Sequence, residues 1–352
     1  MRACGIDPGT SRWGFYVFED TKPILDRSIN TSDWDEIQRQ LEELCRLKLD
    51  VIAAPSGYGT PLKLLSEVSD LDRELMTLWS GEGRIGIKKS LELLKDIPCN
   101  IFVIPGVKHL PSVPKQRKIN RIDLGTPDKV CAVAYSMVQL QREFKIPYQE
   151  MDFILAELGA GFNAFLRIFD GALVDGIGGS NASFGFRSGG RLDAELAYLL
   201  GQIRKTNVFE GGILSGVDHF TNFSQLKEES TILWKAFIES ILKDIAYLDA
   251  IQPKTNLVIL SGKMTKDPIL IDHIESVIDE KSVVSFPTVF KAGHAAVGAA
   301  YLAEGLQGGQ HRNLVESLAI QQSSGTSIDD ILYQSSEKTS LLRHLREHSP
   351  RQ

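Results

Sequence analysis

The residues best suited to chemistry stand where a short apolar run ends, in Cys4-Gly5-Ile6-Asp7-Pro8-Gly9-Thr10-Ser11, just before a second run, Trp13-Gly14-Phe15-Tyr16-Val17-Phe18. A strand that stops at an Asp, turns on Pro-Gly with hydroxyls following and re-enters a strand can hold a phosphate. Backbone N–H groups in such a turn donate to phosphate oxygens, and the carboxylate can hold Mg2+ directly or through water. Asp-Pro-Gly is also ordinary hairpin chemistry. A second copy favours the phosphate reading. Asp7-Pro8-Gly9-Thr10-Ser11 aligns with Glu157-Leu158-Gly159-Ala160-Gly161, and the same offset pairs Phe15 with Phe165 and Asp20 with Asp170. So long a period points to a duplicated domain and not to a solenoid.

Three further stretches have binding chemistry. Gly176 to Gly190, which contains Gly178, Gly179, Ser180 and Arg187, is glycine-rich, as backbone that approaches a ligand must be; a flexible connector has the same composition. Leu257 to Leu260 empties into Ser261-Gly262-Lys263, a small-residue turn against which a base and ribose can lie. Lys115 to Asp123 is the densest basic cluster, and its Arg117 and Arg121 suit a carboxylate or phosphate. A solvated surface run would read the same way.

The elements that must position these groups follow from periodicity. Strands are expected at both halves' openings, including Pro23 to Thr31 and Gly171 to Asp175, and at 50–54, 100–104, 256–260 and 282–286. Helical spacing marks Trp34 to Leu49, Leu62 to Trp79, Ile85 to Leu94, Arg191 to Ile203, Glu229 to Ile251 and Asp267 to Ile278. Thr126-Pro127-Asp128 reads as a helix start, with a cap, a proline at the first position and an acid near the positive end of the dipole. That helix runs to about Phe144. A small-residue helix from Gly293 would pack tightly against it, and the polar tail suggests helices at 312–322 and 328–345. Pro55 to Pro61 leaves the carboxyl end of a buried strand, where ligands of open α/β sheets collect, although a connector needing glycine for its turn reads the same way.

Composition sets bounds. With 352 residues, 43% hydrophobic, the chain can bury two cores, and a net charge of -6 argues against a general nucleic-acid or membrane-surface binder. It has no signal-like apolar core and no run of membrane-spanning length, so a cytoplasmic location is expected. Cys4, Cys45, Cys99 and Cys131 are scattered and point to neither a zinc site nor a disulfide framework.

An acidic turn, a crossing helix, a second turn, an adenosine-type strand end and a second crossing helix, in that order, resemble the acetate and sugar kinase, Hsp70 and actin superfamily over residues 1 to about 305. With Pro55-Ser56-Gly57-Tyr58-Gly59 and Asn120 to Lys129 added, the chain looks like an archaeal family usually labelled as predicted butyrate kinases. The resemblance implies an α/β fold of duplicated ribonuclease H-like (actin-like ATPase) domains flanking a nucleotide cleft, divided as 1–125, 126–305 and a helical extension, 306–352. It implies ATP and Mg2+, with Asp7 and Glu157 at the metal and Gly9, Thr10 and Ser11 beside the terminal phosphates. Gly159, Ala160 and Gly161 would form the other phosphate wall, and Ser261, Gly262 and Lys263 would lie at the adenosine. Glu157 departs from the general Asp, and Lys263 from a usual second glycine. A phosphotransferase acting on a small carboxylate is the leading expectation, with Arg121 or Arg117 neutralising charge and Gly178, Gly179, Ser180 and Arg187 on the substrate. An ATP-driven activase, a carbamoyl-type transferase and a non-catalytic nucleotide sensor are the rivals. The expected partner is a small anionic molecule, not a nucleic acid or a membrane, and homodimerisation is left open.

Overall fold

Alternation along the first three strands decides the first sheet. β1 (Arg2–Pro8), β2 (Arg12–Glu19) and β3 (Lys22–Asn30) form an antiparallel meander. Cys4, Ile6, Phe15 and Val17 fall on one face, where they join Ile37, Leu41 and Leu44 of α1 (Trp34–Leu44) in a buried cluster. β4 (Val51–Ala54) lies parallel to β1, and after β5 (Lys63–Leu64) and helices α2 (Asp70–Thr77) and α3 (Gly86–Leu94), β6 (Asn100–Val103) lies parallel to β4. The sheet order is β3-β2-β1-β4-β6-β5. The short α4 (Lys115–Lys118) and the long α5 (Pro127–Phe144) follow. The computed structural model describes every residue except 10, 55, 79–85, 202, 221, 252, 279, 288, 334–339 and 349–352.

The pattern then repeats. β7 (Phe153–Leu158), β8 (Asn163–Phe169) and β9 (Ala172–Ile177) open a second sheet. Helices α6 (Ala194–Leu200), α7 (Phe223–Glu229) and α8 (Thr231–Asp249) come next. They lead to β10 (Leu257–Ser261), α9 (Pro268–Val277) and β11 (Ser282–Ser285). The order β9-β8-β7-β10-β11, with β10 parallel to β7 and β11 parallel to β10, is that of β3-β2-β1-β4-β6. The hairpin corners agree as well: Asp20 and Thr21 have φ of 46° and 81°, and Asp170 and Gly171 have 47° and 70°. Asp and Gly are residues that tolerate these left-handed turns.

The chain returns through α10 (His294–Leu306), α11 (Arg312–Ser317) and α12 (Ser340–His348). α10 packs on both β1 and α5. At Gly5 an added Cβ would sit 2.0 Å from the Ala296 carbonyl oxygen, and at Gly298 it would sit 1.8 Å from that of Cys131. Neither position has room for a methyl group. The expected tight crossing of the two small-residue helices is therefore present.

Two compact units result: Met1–Met151 with Asp170–Asp175 and Thr288–Gln352, and Asp152–Phe169 with Gly176–Pro287. The expected boundaries at 125/126 and 305/306 fall inside the first unit, because α5 and α10 pack on each other there and α11 packs on α10. Several element expectations change. Lys63–Leu64 pairs antiparallel with β6 instead of starting a helix, and Ser69 caps α2 through a reciprocal Ser69–Asp72 box. Arg191 to Ile203 contributes only α6, Ser230 separates α7 from α8, and the expected 312–322 helix breaks at Ala319, whose φ is 51°. Trp79, Ile85 and residues 334–339 of three expected helices lie outside the described residues.

Candidate functional site

In the first unit, Asp7 stands at the end of β1 opposite Gly14 and on the same strand face as Gly5, the face covered by α10. The turn that follows is braced by Thr31, the residue after β3. The Thr31 hydroxyl donates to the Gly9 carbonyl at 2.8 Å, and the Thr31 N–H donates to Ser11 O at 3.1 Å. Thr10 lies outside the described residues. A Cβ at Gly9 would lie 2.6 Å from the Arg12 carbonyl oxygen and 3.9 Å from Asp7 Oδ2. The backbone therefore folds back over the carboxylate only because Gly9 has no side chain.

The second unit repeats this geometry at Glu157, near the end of β7. A Cβ at Gly159 would lie 2.7 Å from Phe162 O and 3.6 and 3.7 Å from the two Glu157 carboxylate oxygens. The obstructing carbonyl is three residues on in both turns. The Gly159 N–H donates to Phe162 O at 2.9 Å, so this turn is a closed backbone loop beside a carboxylate.

Around the second turn gather the other candidates of that unit. Gly161 O accepts from the Arg187 and Ser188 N–H groups at 2.9 and 3.1 Å, and a Cβ at Gly179 would strike Phe162 Cβ at 2.7 Å. Gly262, with φ of 97°, leaves its Cβ position 2.4 Å from Leu158 O, which stacks the Ser261-Gly262 turn directly on the end of β7. Ser261 pairs with Glu157 in register. Glu157, Gly159 to Gly161, Gly179 and Ser261-Gly262 thus form one small-residue surface, with Gly178 and Ser180 flanking Gly179. The glycine-rich segment is a fastened wall, not a loose connector. Buried Asp244 of α8 accepts from the Ser183 N–H at 2.7 Å, from the Ser183 hydroxyl at 2.9 Å and from Arg191. Burial raises the Asp244 carboxyl above its usual range in spite of these bonds. The side chains of Arg187 and Lys263 are exposed.

The two arginines of the basic cluster have different surroundings. Arg117 donates to the Val174 carbonyl at 2.8 Å and pairs with Asp175 at 3.4 Å, with both side chains largely buried, so its guanidinium fastens α4 to β9. Arg121 is exposed and donates to Asn120 O at 3.2 Å.

The start of α5 holds groups that sequence reading assigned only to capping. The Thr126 hydroxyl donates to Asp128 Oδ1, and Lys129 Nζ pairs with Asp128 Oδ2 at 2.6 Å. Burial acts to raise the Asp128 carboxyl, but the Lys129 charge and these bonds hold it below the usual range. Burial also pushes the Cys131 thiol well up, and the negative charges of Asp128 and Asp7 push it further. Asp7 and Asp128 therefore bear on one neighbourhood, with Lys129 as its cation. The clue was the polar tetrad Thr126-Pro127-Asp128-Lys129 entering an otherwise buried helix.

Among the described residues no group of three or more His, Cys, Asp and Glu forms a protein-only metal cage. Mg2+ ordinarily takes one or two carboxylates and completes its shell with water and substrate phosphates. The single carboxylate at each glycine turn fits that donor set. No helix of the described residues is long and apolar enough to cross a membrane.

Solved structures share the fold. Acetate kinase from Entamoeba histolytica is 13% identical with a TM-score of 0.58, covering 79% of this chain and 87% of its own. Acetate kinase from Porphyromonas gingivalis is 10% identical with a TM-score of 0.62, covering 85% and 98%. A propionate kinase from Francisella tularensis is 12% identical with a TM-score of 0.59, covering 85% and 98%. At these identities the likeness establishes the actin-like ATPase fold. No curated protein matches the sequence. Residues 5–333 match the family model described as protein of unknown function (DUF1464), and the chain belongs to that family.

Proposed function

We propose that the protein is a Mg-ATP-dependent phosphotransferase whose acceptor is a small carboxylate, in the manner of a butyrate kinase. The observation that carries this reading is the duplicated carboxylate turn, in which Asp7 with Gly9 and Glu157 with Gly159 repeat one backbone geometry. The acetate and propionate kinases named above lend support through the shared fold.

In this reading the Gly159 to Gly161 turn and the Gly178-Gly179-Ser180 backbone cradle phosphate oxygens, and Ser261-Gly262 offers a flat small-residue surface to the adenosine. Asp7 in its unit and Glu157 in its own would each offer a carboxylate to Mg2+, which when bound neutralises phosphate charge. Gly9 and Ser11 present backbone to the terminal phosphates. Arg121, which is exposed, and Lys129, which is paired with Asp128, supply positive charge in the first unit, where Arg117 is engaged at β9. Phosphoryl transfer asks a protein mainly for positioning and charge neutralisation. A carboxylate acceptor is ionised near neutral pH and needs no strong base.

The test is incubation with Mg-ATP and a series of short-chain fatty acids, with acyl phosphate trapped by hydroxylamine. Product that is lost in Asp7→Ala supports the assignment. Absence of product across the series, in protein that binds Mg-ATP by calorimetry, discards the carboxylate kinase and leaves an activase, a transferase or a sensor.

A further inference from the structure

We propose that Lys108 is a positioning residue that ties a C-terminal strap, residues 323–332, across the segment delivering the start of α5. Lys108 follows β6 and is 4% exposed. Its ammonium donates to Arg121 O at 2.5 Å, Ser327 O at 2.9 Å and Asp329 O at 2.5 Å. An ammonium has three N–H donors, and here each meets a separate backbone carbonyl. Burying that charge is costly unless every donor is satisfied, so the three carbonyls must stay where they are for the lysine to remain inside.

Two of the carbonyls belong to the strap and the third to the segment entering α5. The preceding residue completes the clamp, because the Val107 N–H donates to Gly125 O at 2.9 Å. Residues 107 and 108 thereby hold both ends of 121–125, and Asp123 closes its middle by accepting from the Gly125 N–H at 3.1 Å. Thr126, Asp128 and Lys129 come directly after. The strap is tied at other points too. Asn120 N–H donates to Asp330 O at 2.9 Å, Leu332 N–H to Asn120 Oδ1 at 2.7 Å, and Ser324 N–H to His109 O at 2.8 Å. Loosening the strap therefore loosens the segment that leads into Asp128 and Lys129.

The tie strengthens in alkali. Burial lowers the Lys108 ammonium to about 8, opposed by Asp330 and Asp329 of the strap and aided by Lys118 of α4, with buried His109 next in the chain. A lysine released to solvent keeps the ordinary 10.5, so between these two values deprotonation favours the tied state. The catalytic consequence rests on the phosphotransferase reading, whereas the tie itself does not.

Amide hydrogen exchange of the full chain, expressed as protection relative to intrinsic rates, tests the tie directly. Lys108→Met should lower protection at least tenfold in both 121–126 and 323–332. Raising the pH from 7 to 9.5 should raise protection of both segments in the wild type and leave the variant unchanged. Asn120→Gly, which keeps the φ of 54° and removes the Leu332 tether, should loosen both segments about threefold and carries the test if Lys108→Met does not fold. In turnover, Lys108→Met should lower kcat about tenfold with the ATP KM within twofold. Loosening of 323–332 with unchanged protection of 121–126 overturns the proposal, as does a wild type that alkali loosens or leaves unchanged. If the wild type makes no acyl phosphate, the functional reading fails while the exchange result still decides the tie.

Discussion

His109 gives a pH dependence whose size can be worked out in advance. It is 1% exposed, and among the described residues neither ring nitrogen has a hydrogen-bond partner. Burial lowers it from an ordinary 6.5 to about 4, with the Gly106 backbone opposing and the Lys108 and Lys118 charges adding. The folded state thus holds the ring neutral where an unfolded chain would protonate it. The stability this contributes is present above 6.5 and is lost as the pH falls through the window from 6.5 to about 4. The full difference is about 3 kcal/mol, of which about 2 kcal/mol is lost by pH 5. Scanning calorimetry at pH 7.5 and pH 5 should show a drop of roughly 4–8 °C attributable to this group. His109→Leu provides the reference, since it removes both unsatisfied nitrogens at similar volume and does not titrate. Other groups titrate alike in both proteins, so the wild type should lose about 2 kcal/mol more than the variant. Equal losses would refute the reasoning and would mean that the ring finds a partner or water on protonation.

Asp7→Ala should weaken Mg-dependent ATP binding at least tenfold by calorimetry while shifting the unfolding temperature of the free protein little, because a half-buried carboxylate at a strand end contributes little to the core. Gly159→Val should abolish nucleotide binding, since its Cβ would strike Phe162 O at 2.7 Å; unchanged affinity would dissociate the turn from phosphate. Gly298→Leu should overpack the α5–α10 crossing by about 3 kcal/mol or more, visible as a lowered melting temperature or insoluble protein. Asp244→Ala should free Ser183 and Arg191, and with them the glycine-rich segment, from α8, raising proteolysis within 176–191 and weakening ATP binding together.

What could be read from the sequence was local or repeated. The duplication was visible because turn chemistry is local. Asp7-Pro8-Gly9 and Asp20 announce the same corners as Glu157-Leu158-Gly159 and Asp170, and the structure gives the two sheets one strand order. The Thr126 helix was equally plain, since a proline at the first position and a buried apolar face leave few alternatives. Misreadings arose where one pattern serves two structures. Leu62 to Leu65 has helical spacing, yet an edge strand beside β6 claims Lys63 and Leu64. Ser69 to Asp72 was the overlooked helix start.

The roles of cations were the least legible, for a physical reason. An arginine or lysine acts through its far end, and what that end meets is decided by contacts remote in sequence. Arg117 reads as an anion clamp until Val174 and Asp175 occupy it. Lys108 carries no signal at all, because its acceptors are backbone carbonyls that any residue would supply. Carboxylates on short side chains behave otherwise. Asp7 and Glu157 cannot leave the turns that follow them, so their place in the fold is fixed as soon as the turn is recognised. The added methylene of Glu157 does not break the correspondence, because Gly159 still lies within 3.7 Å, measured from its Cβ position, of both carboxylate oxygens. The repeat therefore preserves the relation between carboxylate and glycine backbone, not the side-chain length, and a phosphate-binding turn has to conserve that relation.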